Sequence, residues 1–296
     1  MTETMSQTGA DRMIIVIAGA NGLIGSAIGA RLAAEHTVIG AVRPGAAGPL
    51  PLWMGRRVEA DASASPEEWR SIVSGADAVI NCMGSLQDGW GPLNSLQVVH
   101  LRGAEALFDA CEQAGVRRVI HFSAIGVDRQ QLSDFSRTKR GAEEALATRD
   151  LEWVVLRPSV VLGEPVFGAS AQFRGLSALP ISMVPPDAGA LQVVQLDDVV
   201  ETVQALLHRP DISRRAFDLA GPEQLAFADV VDLYRRWHGW SPARPWRVPR
   251  PIMKLAFTFG DFLGTLGWRP ALRSNASREL VQGAVGTMLR GGMLLA

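Results

Sequence analysis

MIIVIAGANGLIGSAIGARLAA, residues 13–34, reads as a strand, a tight turn and the start of a helix. Met13–Ala18 is a short apolar run rich in Ile and Val, and an apolar-periodic helical segment follows over Ile24–Ala34. Between them Gly19, Gly22 and Gly25 are spaced G-x-x-G-x-x-G. Gly19 lets the chain reverse, and Gly22 has no side chain to keep a pyrophosphate from the backbone. Gly25 lets the helix lie close on the sheet. Free N–H groups near Asn21, Gly22, Leu23 and Ile24, with the positive end of the helix dipole, then face any phosphate placed there.

Outward from that turn, strands and helices alternate. Thr37–Val42 is a second strand, ended by Arg43-Pro44-Gly45, and a Gly/Pro/Ala-rich loop runs to Arg56. Val58–Asp61 reads as a short third strand and Pro66–Val73 as a helix with Pro at its first turn. Ala78–Cys82 and Val119–Ser123 are apolar strands on either side of a long amphipathic helix, Leu96–Ala114, which stops at Gly115. Arg137–Thr148 reads as a helix and Trp153–Leu156 as a sixth strand. This βαβ rhythm predicts an α/β fold, a doubly wound parallel sheet with ligand at the carboxyl ends of the strands.

From Leu162 the periodicity fades, and Gly163–Gly189 reads as an irregular substrate-side loop region. Val193–Leu196 is then a strand, Asp197–His208 a helix, Ala216–Ala220 a strand and Phe227–Trp237 a helix. Ile252–Trp268 reads as a helix with large apolar residues on much of its surface, and Ser274–Ala296 as a helix and frayed tail. The organisation expected is a disordered leader over 1–12, a nucleotide-binding core over 13–162 and a smaller C-terminal α/β region over 163–296 containing interspersed core elements.

Composition narrows the function. The 296 residues are 47% hydrophobic and carry a net charge of −1, so no basic field draws the chain to nucleic acid. No apolar run is long enough to span a bilayer. Cys82 and Cys111, without metal-ligand spacing, read as buried free thiols of a reducing, cytoplasmic compartment. Only Lys139 and Lys254 among the 29 basic residues are lysine, and the sole tyrosine is Tyr234.

Several ordered segments together resemble a known family: Gly19–Gly25 (GANGLIG), Val79–Gly84 (VINCMG), Phe122–Asp128 (FSAIGVD), Phe135–Glu143 (FSRTKRGAE), Leu156–Gly163 (LRPSVVLG) and Gln195–Val199 (QLDDV). From Met13 to about Ala220 the chain resembles the atypical, extended short-chain dehydrogenase/reductases. Within them it is similar to the branch of the 39 kDa NADH-ubiquinone oxidoreductase subunit. Their usual turn is T-G-A-x-G-x-x-G, and Ala18 stands in the place of that Thr. The resemblance implies a Rossmann-like fold and a bound NAD(P). Some bacterial relatives add a membrane-embedded C-terminal module, which this chain is expected to lack.

The resemblance also implies roles. At the end of the second strand an NAD site uses an acid, whereas Arg43 suits the 2′-phosphate of NADP. NADP(H) is therefore favoured, with NAD(H) the alternative and a solvated arginine the plainer reading. Asp61 and Ala62 correspond to adenine contacts, unless Asp61 merely caps its turn. Asn81, Met83 and Gly84 correspond to the fourth-strand turn beside the cofactor, and Pro158, Ser159 and Val160 to the nicotinamide flank. Lys139 corresponds to the lysine that binds the nicotinamide ribose. In a chain whose basic residues are nearly all arginine, a lysine there resists the bias.

Hydride transfer to a carbonyl leaves an alkoxide that needs a proton. The family's donor is a Tyr four residues before the Lys, and that position is Phe135. Ser123 stands where a substrate-orienting Ser or Thr is usual, or simply caps its strand. His100 occupies a place where the family has Asn, and His121 reads as a core histidine. Asp134 and Ser136 flank Phe135 and are expected to point away, and Tyr234 reads as a packing residue. Two functions follow. One is a dinucleotide-binding protein with a sensing or assembly role, within reach of a protein partner. The other is an active oxidoreductase of a carbonyl or quinone, using Ser123, water or the substrate as proton donor. Ile252–Trp268, with Trp240 and Trp246 nearby, reads either as a packed helix or as a membrane-surface or partner face.

Overall fold

The computed structural model describes residues 12–45, 53, 56–89, 91–164, 168–265, 281 and 283–285. The leader at 1–11, Trp90, the helix end at 266–268 and most of the terminal segment expected over 274–296 lie outside the described residues.

Strands β1 (Ile14–Ala18), β2 (Thr37–Val42), β3 (Arg56–Glu59), β4 (Ala78–Asn81), β5 (Arg118–Phe122) and β6 (Glu152–Pro158) are interleaved with four helices. These are α1 (Leu23–Leu32), α2 (Pro66–Val73), α3 (Gly103–Ala114) and α4 (Asp134–Ala147). Beyond them come β7 (Val160–Leu162), α5 (Gly168–Ser177), β8 (Ile181–Val184), β9 (Val193–Gln195), α6 (Leu196–Leu207), β10 (Arg215–Leu219), α7 (Phe227–Trp237), β11 (Arg244–Arg247) and α8 (Arg250–Thr265).

One seven-stranded sheet runs β3-β2-β1-β4-β5-β6-β10, and every neighbouring pair is parallel. All the carboxyl ends therefore share one edge. The order reverses between β1 and β4, which opens a crevice at that edge. The central strands are apolar on both faces, as a covered parallel sheet requires. Along β1, Ile15 and Ile17 pack in the core beneath α1 and α6, with Ile28, Ile120, Val203 and Leu206. Val16 and Ala18 alternate to the other face and meet Trp69, Leu107, Phe108 and Leu146 of α2, α3 and α4.

Local signals set the helix starts. Ser65 and Glu68 form a capping box ahead of α2, with Pro66 in the first turn. Ser133 caps α4 by accepting from Ser136 N, so α4 begins at Asp134, three residues before the start expected from periodicity. The third strand likewise lies two residues earlier than Val58–Asp61. The helix expected over 96–114 is divided: Gln97–Arg102 form a wide π-helical turn that leads into α3. A π-turn inside a helix frequently marks a functional site.

A third core holds Leu162, Phe173, Leu191, Phe227, Val230, Val231 and Tyr234. It joins α5 and α7 with the small parallel sheet β7–β9, and a second parallel pair, β8–β11, lies against α7 through β8. The stretch expected to be irregular thus contains α5 and β8. Helix α5 has few periodic apolar residues and gains its support from packing, Phe173 lying 4.9 Å from Phe227. Strands β8 and β11 pair across some sixty residues of chain, beyond any local window.

Candidate active site

At the glycine turn the backbone fits itself so closely that side chains are excluded. Gly19 has φ +80°, and a Cβ there would stand 2.9 Å from Cys82 O and 3.1 Å from Met83 N. A Cβ on Gly25 would overlap Gly19 O and lie 3.1 Å from Ala20 Cα. The close approach at Gly25 is thus to the turn itself rather than to a strand. Gly22 is the N-cap of α1 and offers no side-chain cap, and the first turn contains no acid. The amides of Leu23 and Ile24 therefore open onto the crevice beside exposed Asn21.

The other expected residues are distributed along the same edge. Arg43 is exposed just past β2. Asp61 follows β3, and its Oδ1 accepts from Ser63 N at 2.8 Å and Ser63 Oγ at 2.6 Å. It does cap its own turn. Ala62 packs on the start of α3, where a Cβ on Gly103 would be 2.5 Å from Ala62 Cα. Pro158 ends β6, and Ser159 is committed on both sides: its N donates to Leu219 O at 2.9 Å and its Oγ to Ala284 O at 3.1 Å. Val160 begins β7 opposite Val193.

Below the crevice centre lies a buried polar network. Asn81 Oδ1 accepts from Met83 N at 3.0 Å, which turns its Nδ2 toward His121 Nδ1 at 3.1 Å. His121 therefore carries its proton on Nε2, a buried atom without a hydrogen-bond partner, set against the Phe108 ring. It is a core histidine, but only half satisfied. Lys139 on α4 is 5% exposed, and its Nζ donates to Phe122 O at 2.7 Å and Met83 O at 3.3 Å. Those carbonyls lie at the ends of β5 and β4, so the ammonium spans the two strands. A side chain at exposed Gly84 would stand 3.4 Å from Nζ, so the glycine leaves the approach to the ammonium open. Burial lowers the Lys139 pKa to about 8.

His100, in the π-turn, is 1% exposed. Its Nε2 lies 3.0 Å from Ser85 N, and a backbone N–H can only donate, so Nε2 is the bare nitrogen. Its Nδ1 then donates to Thr138 Oγ1 at 2.9 Å, and that hydroxyl donates to the carbonyls of Asp134 and Phe135, both at 3.0 Å. Burial first, and the Lys139 charge second, push its pKa down to about 2. His100 is a neutral clamp holding the Gly84–Ser85 backbone to α4. Nothing in the sequence marks this role, because its partners come from positions 85 and 138.

Phe135 lies one turn before Lys139 on the same face of α4, its ring 5.2 Å from His100 and edge-on. Asp134 pairs with Arg137 on the helix surface, while Ser136 is buried. Ser123, at the end of β5, donates its N–H to Leu156 O at 2.8 Å. Its Oγ is buried without a hydrogen-bond partner. Burial raises the Cys82 thiol to about 12 against the pull of Lys139, so it is no thiolate. Tyr234 is buried in the third core, beside Trp237, and takes no part in this network. Among the described residues no cluster of His, Cys, Asp and Glu has metal-holding geometry, and no helix is long and apolar enough to cross a membrane.

Residues 19–176 match the NAD(P)H-binding family. The chain is similar to the epimerase family protein Mb2239 of Mycobacterium bovis, 27% identical over 84% of this chain and 85% of that one. It also resembles the mitochondrial NADH-ubiquinone oxidoreductase 40 kDa subunit of Neurospora crassa, 24% identical over 54% of this chain and 42% of that protein. The fold matches the Bordetella bronchiseptica enzyme WbmG, solved in complex with NAD, at TM-score 0.68 and 16% identity, covering 83% of this chain and 84% of that one.

Proposed function

The chain belongs to the NAD(P)H-binding family, and from that premise we propose that it binds a dinucleotide while performing little reductase turnover. The side-chain-free turn at Gly19, Gly22 and Gly25, with the uncapped N-terminus of α1, fits the diphosphate. Arg43 at the end of β2 supports NADP(H) over NAD(H), since a guanidinium suits a 2′-phosphate. Ala62 and the free Oδ2 of Asp61 line the adenine end. Asn81, Met83, Gly84 and Pro158–Val160 flank the nicotinamide end, with Lys139 beneath it. Its remaining N–H, beyond the two given to Phe122 and Met83, suits ribose hydroxyls.

A reduced nicotinamide held here would supply a hydride, and a carbonyl acceptor would then need a proton. The observation that carries the reading is what surrounds Lys139. Phe135 has no proton to give, both His100 nitrogens are engaged and the ring is neutral, and Cys82 holds its proton to about 12. A missing general acid costs about 10²–10⁴-fold in rate. A binding, sensing or assembly role follows, with a cytoplasmic setting consistent with two free cysteines.

The alternative reading, an active oxidoreductase of a carbonyl or quinone, is favoured by one feature. Ser123 Oγ is buried at the strand end without a partner, as a hydroxyl awaiting a ligand would be. NADPH consumption over a panel of carbonyls and quinones separates the two. The expected result is background turnover by the native chain, and a gain in Phe135→Tyr. Turnover by the native chain that Lys139→Ala abolishes overturns the binding-only reading.

A further inference from the structure

Helix α8 has two apolar faces. Met253 and Gly260 are buried, with Ala256, Phe257 and Leu263 half-buried beside them. On another arc Ile252, Leu255, Phe259 and Phe262 are exposed at 52, 71, 58 and 57%. Their spacing is i, i+3, i+7, i+10, the narrow seam of a coiled coil rather than the broad stripe of a helix laid on a core. The steps of three, four and three residues read the same from either end. A two-fold axis crossing the helix at position 257 therefore sets Ile252 against Phe262 of a second copy, and Leu255 against Phe259.

We propose that this face is the contact between two copies of the chain, α8 packed antiparallel on α8. Such a contact is isologous and closes on itself. At roughly 200 Å² per fully exposed side chain of this size, the four exposures leave on the order of 500 Å² of apolar surface per copy. That is as large as the biggest patch a monomer ordinarily shows. Two such faces bury on the order of 1,000 Å², the lower bound of a specific interface. The polar arc of α8 does not suit anionic lipid: its exposed residues are Lys254 and Thr258, and Arg250 is held by Asp187 at 2.8 and 3.0 Å. A membrane-lying helix carries a polar face rich in Lys and Arg.

The test is sedimentation of the full chain at about 10 µM, with flotation on phosphatidylserine-containing vesicles alongside. The native chain is expected to sediment as a dimer and to stay off the vesicles. Leu255→Glu and Phe259→Glu are each expected to weaken association by at least about thirtyfold. Both positions are exposed and lie outside the crevice, so the variants should still melt cooperatively and NADPH affinity should not change. The paired variant Leu255→Cys/Phe259→Cys should cross-link on oxidation, and Leu255→Cys alone should not, with the native cysteines as background. A native monomer overturns the proposal, as does a dimer that both glutamate variants leave intact. A monomer that floats with the vesicles assigns the face to lipid instead and overturns it equally.

Discussion

Lys139 is 5% exposed and reaches two carbonyls, and burial brings its pKa to about 8. A lysine whose folded pKa lies below its unfolded value costs stability below about 8, and that cost is relieved as pH rises toward 10.5. A ligand that takes its hydrogen bond as ammonium reverses the dependence. NADPH affinity should fall as pH rises through 8, by up to about tenfold at pH 9, where about one chain in ten keeps the proton. Calorimetric titrations at pH 7 and pH 9 measure it, and Lys139→Met should flatten the difference. A lysine among arginines stands out in the sequence, and the structure buries it at the strand ends. Gly19 and Gly25 were legible too, because the backbone leaves no room for a side chain at either, whereas Arg43 is shown only to be exposed past β2. The tautomer of His100 was not legible, since it is fixed by an amide and a hydroxyl far along the chain. Asp61 had two readings, and the Ser63 hydrogen bonds settle only that its Oδ1 caps the turn.

Helix α6 shows how elements from distant parts of the chain are joined. Arg118, at the start of β5, is 6% exposed, and its guanidinium donates to the carbonyls of Leu206, Arg209 and Ile212 at and beyond the helix end. The same side chain reaches Glu152 O on β6. A cation at a helix C-terminus also meets the negative end of its dipole. Arg118→Met keeps the stem and removes the donors to one buried and three part-buried carbonyls, of which Leu206 O and Arg209 O keep a backbone partner. Denaturant unfolding should show a loss of about 2–4 kcal/mol, with the slope unchanged. Elements with a strong local signature, such as β2, α2 and α7, were legible to the residue. Helix α5 and strands β8 and β11 were not, because their support comes from one another rather than from periodicity. The π-turn was hidden as well: a wide turn and a regular one present the same apolar rhythm.

At the scale of the molecule, the parallel sheet gathers every strand's carboxyl end on one edge, where the expected site residues converge. Three buried histidines around that sheet, His36 just before β2, His100 in the π-turn and His121 on β5, are kept neutral by the fold. Burial lowers the pKa of His36, His100 and His121 alike, His100 to about 2. Each imidazole is harder to protonate in the fold than in the unfolded chain. The unfolded chain therefore binds more protons below about pH 6.5, and stability falls with pH there. A histidine as fully shielded as His100 contributes roughly 2 kcal/mol of that loss at pH 5. Melting temperature should drop between pH 7 and pH 5, and His100→Asn should lessen the drop even if it lowers the pH 7 value.

Isothermal titration calorimetry of the full chain with NADPH and with NADH, at pH 7, bears most directly on the dinucleotide crevice. The fold and the glycine turn predict saturable heat with at least one of them, tighter for NADPH, and its loss in Gly25→Ala, whose Cβ would collide with the turn. No heat with either dinucleotide, from a chain that melts cooperatively, would contradict it.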